Sequence, residues 1–277
     1  MPTPEELDRI RIVLVRARNP NNIGAAARAM HDFGLRHLRV VNDFPVPFES
    51  ARSAVDASQV LAGAVACATL AEAIADCTLV VGTTAVGERD LQHPLLPLAE
   101  AAPRILAELR RNTGPNSNPG CVALLFGSEK TGLSNDELSH CNFLLTIPMQ
   151  QVAGARHLSL NLGQAVAVCL YELVRVAPQP APIPTALPPA EPVPADETTP
   201  PPADSPAAEA ASAADLERLT TLLYETLEKS GYMRRHPATS EPVQLRRMLR
   251  RMSLDASDAA VWMGVFRQLL FKLRRMN

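Results

Sequence analysis

No stretch of this sequence approaches the roughly 20 consecutive apolar residues that a bilayer-spanning helix requires. The opening MPTPEELDRI lacks a basic region followed by an apolar run, so neither a secretory leader nor a membrane anchor is expected, and the reading is cytoplasmic. Cysteine is scarce and unpaired. The five thiols (Cys67, Cys77, Cys121, Cys141, Cys169) are odd in number and form no Cys-x-x-Cys, which points to buried, reduced side chains rather than disulfides or a zinc site. The six histidines (31, 37, 93, 140, 157, 236) show no metal-ligand spacing, and no metal is expected. Two further absences narrow the nucleotide chemistries. No Gly-x-Gly-x-x-Gly opens a strand-helix unit, and no Gly-Lys-Ser/Thr triplet occurs. Gly127–Ser128–Glu129–Lys130–Thr131–Gly132 follows an apolar run, but its lysine precedes the second glycine. Dinucleotide-binding and phosphate-loop readings both fall.

What is present is a core of ordinary size. Of 277 residues, 47% are hydrophobic and 20% charged, enough for one domain of about 150 to 180 residues and a smaller unit. The net charge of -2 hides an uneven distribution. Residues 1–177 carry 15 bases and 17 acids, 178–214 carry five acids and no base, and 215–277 carry 12 bases and 7 acids. The middle segment also holds 12 of the 25 prolines; such a composition cannot bury enough apolar surface to fold and predicts an extended tether. The expected division is therefore a domain over 1–177, a Pro-rich linker over 178–214 and a basic helical unit over 215–277. A basic unit beyond an acidic linker suits a polyanionic partner, although arginine-rich faces also serve plain solubility.

The order of elements is strand then helix, repeated. Strands are predicted at Ile12–Val15, Leu38–Val41, Thr78–Val81, Val122–Phe126 and Phe143–Ile147, with helices over 24–30, 56–75 (in two pieces), 94–111 and 159–176. Asn22 or a neighbour caps the first of these, and Gly34 stops it. Continuous apolar strands alternating with helices argue an α/β fold with a buried parallel sheet, whose ligand edge lies at the carboxyl ends of the strands. The small-residue loop Thr83–Thr84–Ala85 is either an ordinary turn or a place where a ligand approaches the backbone. Arg28, in an alanine-rich turn, reads from its surroundings as a solvating surface residue. In the tail, Asp215–Lys229, Pro242–Met252 and 257–275 form three amphipathic helices. Leu245, Met248, Leu249 and Met252 are placed inside and Arg246, Arg247, Arg250 and Arg251 outside; Val261, Trp262, Val265, Phe266, Leu269, Leu270 and Leu273 form the apolar side of the third.

Asn22–Ile23–Gly24 with Arg28, LLFGSEKTGLSNDEL, TIPM and SLNLGQAVAV resemble, in order and at normal spacing over about residues 10–176, the three motifs of the SpoU branch of the SPOUT RNA methyltransferases. The tail DLERLTTLLYETLEKSGYMRRHP followed by QLRRMLRRM resembles the members of that branch that 2′-O-methylate the pyrimidine at position 32 of the tRNA anticodon loop. The resemblance implies a parallel sheet closed by a deep C-terminal trefoil knot, a homodimer, a tRNA substrate and S-adenosylmethionine bound in the knot. Carried over, the cofactor residues are Thr83, Thr84, Ala85, Gly127, Ile147, Met149, Leu158, Ser159, Leu160, Asn161 and Leu162. The reacting residues are Arg28, Asn22, Glu129, Ser159 and Asn161.

In this implied chemistry a ribose 2′-hydroxyl attacks a sulfonium methyl that is already cationic, so rate comes from positioning and from easing loss of the hydroxyl proton. Arg28, always charged, would grip the phosphate and stabilise the developing alkoxide. Asn22 would orient it or the ribose, Glu129 would accept the proton directly or through water, and Ser159 and Asn161 would hold the last loop. Ser128 departs from the pattern, in which arginine commonly follows Gly127. Two alternatives stay open on the motifs: the same chemistry on ribosomal RNA, and a non-catalytic RNA-binding module.

Overall fold

The computed structural model describes residues 1–42, 51, 57–85, 91–111, 119–150, 159–175, 209–236 and 241–276. After the short helix α1 (Pro4–Leu7), β1 (Ile10–Val15) is followed by α2 (Pro20–Asp32) and β2 (His37–Val41). Next come α3 (Ser58–Ala62), β3 (Val65–Cys67), α4 (Leu70–Ala73), β4 (Leu79–Thr83), β5 (Leu95–Pro97) and α5 (Leu98–Arg110). The domain ends with β6 (Val122–Phe126), α6 (Asn135–Ser139), β7 (Phe143–Thr146) and α7 (Leu162–Val174). The seven strands form one sheet in the order β3-β2-β1-β6-β4-β7-β5, and every pairing is parallel.

The two-residue period of a strand divides its apolar side chains between two cores. Ile10, Ile12 and Leu14 of β1, with Val122, Leu124 and Phe126 of β6, join a cluster covered by α2, α3, α5 and α7. Val13, Val15, Ala123 and Leu125 face the other way, into a cluster with Leu70 and Ala73 of α4 and Leu138 of α6. Both faces are buried, which is why these strands read as continuous apolar runs rather than alternating ones.

Two local readings change. Val65–Cys67 lies in an alanine-rich window that predicts helix, yet it pairs with β2 as an edge strand; tertiary pairing overrides propensity here. Leu95–Pro97, also expected in a helix, is the opposite edge strand, a position where the missing N–H of Pro97 costs no ladder bond. The first long helix is capped, as expected, from the Asn19–Asn22 loop: Asn19 is the cap, and its side chain accepts from the Asn21 N–H at 3.0 Å. Gly34, at φ 79°, ends it as expected.

The tail is helical: α8 (Ala213–Lys229), α9 (Tyr232–Arg235), α10 (Pro242–Arg251) and α11 (Ala256–Met276). Helix α8 begins against the sheet domain. Ala213 N donates to Cys77 O (2.8 Å), and its side chain belongs to the second core. On α10 the inside-outside assignment is partly reversed. Met248 and Met252 are 39% and 48% exposed, whereas Arg250 is 2% exposed. Arg246 spans Glu217 of α8 (3.0 Å) and, on α6, Asp136 (3.2 Å) and Ser139 Oγ (2.9 Å). Packing against α6 rotates the buried arc from the methionines toward these arginines while Leu245 and Leu249 stay buried; the long arginine stems cover apolar surface, and the Arg246 guanidinium finds its polar partners there. On α11, Ala259 and Leu270 are buried, whereas Val261, Trp262, Val265 and Leu269 of the apolar side are exposed.

His140, at the end of α6, sits under this contact. Burial, then the charges of Arg246 and Arg250, push its pKa down to about 3; Asp136 opposes weakly. Glu217, 3.8 Å away, is committed to Arg246. His93 is lowered to about 4, first by burial and then by Arg247 and Arg251. Since both folded values lie below the unfolded value of about 6.5, the unfolded chain takes up protons first, and stability falls as pH drops below about 6.5. Between pH 6.5 and 5 the His140 share is about 2 kcal/mol. Urea midpoints at pH 7 and 5 should show this loss, and His140→Asn should flatten the profile by that share. An unchanged slope in the variant would mean that His140 is protonated in the folded protein.

Candidate active site

Four adjacent strands, β1, β6, β4 and β7, end at one edge of the sheet, so the chain segments that follow them share a single rim. These are Asn19–Asn22, Gly127–Gly132, Thr83–Ala85 and Ile147–Met149, at the carboxyl edge where open α/β sheets hold ligands. The Gly127–Gly132 loop folds back on itself: Gly132 N donates to Ser128 O at 2.8 Å, and Gly132 has φ 66°. A Cβ at Gly127 would lie 2.1 Å from the Gly132 carbonyl carbon and 2.3 Å from Leu133 N, so backbone fills the space that any side chain would need. Ser128 has a local task, with its Oγ 2.8 Å from Thr131 Oγ1 and accepting from Thr131 N at 3.2 Å. It ties the loop where the family pattern commonly has arginine.

Arg16, which the sequence reading passed over, fixes this loop from outside. It stands just past β1 at φ 56°, a left-handed conformation that costs a non-glycine residue about 1–2 kcal/mol. Its Nη2 donates to Gly132 O (3.1 Å) and to Glu137 Oε2 (2.8 Å), while Glu137 also closes the capping box of α6 with Ser134. A left-handed arginine has no sequence signature. The contacts that offset its strain come from residues more than 115 positions away.

Three of the expected residues are joined by hydrogen bonds. Asn22 Nδ2 donates to Glu129 Oε1 at 2.8 Å, and Asn161 Nδ2 donates to Asn22 Oδ1 at 3.0 Å. Asn161 is also the N-cap of α7: its Oδ1 accepts from Gly163 N (2.9 Å), and Gln164 Oε1 accepts from Asn161 N (3.2 Å). Both ends of the Asn22 amide are thereby oriented. Helix α7, expected from residue 159, starts only at Leu162; Ser159 and Leu160 precede it outside any helix or strand, Ser159 exposed and Leu160 half-buried.

Thr83 Oγ1 donates to Leu125 O (2.9 Å) and Thr84 N to Leu145 O (3.0 Å), pinning that loop between β6 and β7. Ala85 is exposed beside it, Ile147 and Met149 are half-buried on the neighbouring loop, and Leu162 is buried. Leu158 lies outside the described residues. Arg28 does not join the Asn161–Asn22–Glu129 chain. Its side chain is 56% exposed, and its ion-pair contact is with Asp32 one turn on, at 4.0 Å. Six residues beyond Asn22 on a helix, it is turned about 120° away and roughly 9 Å along the axis.

A second polar cluster lies at the opposite, amino-terminal edge. Cys77 and Cys121 Sγ are 3.6 Å apart beside Asp76, a pairing that sequence spacing does not reveal. Burial pushes the Asp76 carboxyl up, but hydrogen bonds and charge from Arg39 and Arg11 outweigh it and hold the carboxyl far below the usual range. Its oxygens are thus already engaged by two guanidiniums.

Comparison with known proteins adds to this geometry. The model of the SpoU rRNA Methylase family matches residues 9–171. The tRNA (cytidine/uridine-2′-O-)-methyltransferase TrmJ of Yersinia enterocolitica is 34% identical over 275 residues, 98% of this chain and 93% of that protein. The tRNA (cytidine/uridine/adenosine-2′-O-)-methyltransferase TrmJ of Pseudomonas aeruginosa is 42% identical over 172 residues, 62% of each chain. The crystal structure of TrmJ from Z. mobilis ZM4 superposes with a TM-score of 0.70 at 29% identity, covering 94% of this chain and 98% of that one.

The amide chain makes a testable coupling. Asn161→Ala should cost about 1 kcal/mol through the lost cap. Asn22→Ala and Asn161→Ala together should destabilise by less than the sum of the single changes, with a coupling on the order of 1 kcal/mol in denaturant titrations. Strict additivity would show that the two side chains do not hold each other.

Proposed function

The chain belongs to the SpoU rRNA Methylase family, and from that premise we propose that it is an S-adenosylmethionine-dependent tRNA 2′-O-ribose methyltransferase acting on the pyrimidine at position 32 of the anticodon loop. The observation that carries the reading is the Asn161–Asn22–Glu129 chain. It places a carboxylate, oriented through one oxygen by a fixed amide, at the rim where the motif loops converge. Likeness to the TrmJ proteins over nearly the whole chain, tail included, supports tRNA over ribosomal RNA.

The residues present suit the cofactor. The Gly127 loop offers bare backbone, Thr83–Ala85 is pinned open beside it, and half-buried Ile147, Met149 and Leu160 supply apolar walls for a purine. S-adenosylmethionine supplies a methyl group on a cationic sulfur. This chain's residues then have three tasks. Glu129 accepts the proton leaving the 2′-hydroxyl, at the oxygen not engaged by Asn22. Asn161 and Ser159 hold the approach to α7. Arg28 grips the phosphate and stabilises the alkoxide as it forms.

Arg28 performs this task across a homodimer, in the partner's site. Supporting that arrangement, Arg28 is exposed on α2, and on the neighbouring α7 the apolar Val168 and Tyr171 are 37% and 58% exposed. We further propose the deep trefoil knot. The late strands β6 and β7 straddle the earlier β4, as a threaded carboxyl-terminal segment would require. The division at 177 and 214 into catalytic domain, Pro-rich linker and helical unit follows from composition and charge.

The decisive assay is tritiated methyl transfer to total tRNA, followed by nucleoside mass spectrometry. A 2′-O-methylated pyrimidine at position 32 is expected. Arg28→Ala should retain S-adenosylmethionine binding and lose about 10²–10³ in turnover, and Glu129→Gln should lose about 10²-fold or more. Wild-type turnover by Arg28→Ala removes that residue from the mechanism. Label in ribosomal RNA alone moves the substrate, and a chain that fails to bind the cofactor is not an enzyme of this class.

A further inference from the structure

We propose that the outer stripe of α11 is a self-association surface that takes a second copy of α11, antiparallel, across a two-fold axis passing at Val265. The helix carries two apolar faces. One is satisfied: Ala259 and Leu270 are buried, and Met263 and Phe266 pack on the cluster of Leu219, Leu223, Leu245 and Leu249. The other is not. Val261, Trp262, Val265 and Leu269 are 65%, 43%, 42% and 42% exposed. They recur at the i, i+3, i+4 spacing that lines one side of a helix, between Asp258 one turn before and Lys272 one turn after, both exposed. A contiguous apolar stripe between charged ends is the composition of a contact surface rather than of a solvated face. Trp262 is already stacked on Phe266, with centroids 5.7 Å apart, so the largest side chain at its margin is held in place.

What selects a second copy is that the stripe is its own complement. Laid antiparallel about Val265, the positions 258 and 272 face each other, as do 261 and 269, and 265 faces itself. Each Asp258 then meets the Lys272 of the other copy, twice over, and Val261 meets Leu269. A parallel arrangement would set Asp258 on Asp258 and Lys272 on Lys272, which like charges oppose. This is the isologous pattern of a two-fold contact. One helix face is small beside the roughly 1,200–2,000 Å² of a standard interface, so the contact should be weak by itself and concentration-dependent. It involves neither the catalytic rim nor the face of α2 and α7, and it stands or falls apart from the proposed reaction.

The test uses the full chain, whose five native cysteines are all buried. Val265→Cys is compared with Arg267→Cys, also exposed on α11 but off the stripe, under mild oxidation with non-reducing electrophoresis. The Val265→Cys chains should link into covalent pairs roughly tenfold faster than the control. In the Val265→Cys background, Asp258→Lys or Lys272→Asp alone should slow linkage several-fold, and the two together should restore it, which a merely structural role would not do. Equal linkage of the two variants, or failure of the double reversal to restore it, overturns the proposal. So does a Val265→Cys thiol that resists both linkage and alkylation in a chain shown to be monomeric, since another segment of the same chain then covers the stripe. Protection appearing only when tRNA is added would reassign the stripe to RNA, and would equally overturn the pairing.

Discussion

The crossing of α2 and α7 governs where the polar groups of the site can stand. A Cβ on Gly163 would lie 2.6 Å from the Ala25 Cβ and 3.2 Å from its carbonyl carbon. Only glycine permits this approach, and it is this approach that leaves the α7 cap, Asn161, within 3.0 Å of Asn22. The small residues of α2, with Ala26, Ala27 and Gly24 buried against the core, serve the same end. A bulkier helix pair would bury more apolar area yet separate the two asparagines, and Asn22 would then have no fixed direction in which to present its amide to Glu129.

The Gly127–Gly132 loop is held by a different balance. Gly127 has no room for a side chain, Gly132 takes a left-handed conformation, and Arg16 is held in one against its preference. Such positions persist when surrounding contacts over-determine them. Here those contacts are the Arg16 bonds to Gly132 and Glu137. Glu137 belongs to α6, and α6 is also the platform on which Arg246 of the tail docks. The Gly127–Gly132 loop, α6 and the tail therefore share one set of contacts. Although composition places Ala213 at the end of the linker, it opens α8, and its side chain joins the core on the second face of the sheet.

Much of the domain was legible because both its cores draw on period-two strands of β-branched residues and leucine. Val122–Phe126 falls where the apolar run predicts it, and so do β1, β2, β4 and β7 to within a few residues. The edge strands were not legible, because Val65–Ala66–Cys67 and Leu95–Leu96–Pro97 carry no local pattern and exist through their neighbours. The apolar period located α10 and α11, but on α10 it misjudged which sides are covered. A period says which residues share a face; it does not say whether α6 or α8 will be there to meet it.

By itself the sequence determined the parallel α/β class and the order of the motifs, and the resemblance of those motifs to the SpoU branch is what grouped Asn22, Glu129 and Asn161. Only the tertiary structure decided that Asn22 is the link between the other two, that Arg28 points away from them, that Arg16 clamps the loop, and that Arg250 is buried while Trp262 is not. The physical reason is range. Propensity, capping and periodicity act within a few residues, whereas these outcomes turn on contacts between segments more than 100 positions apart or on which helix happens to cover which face.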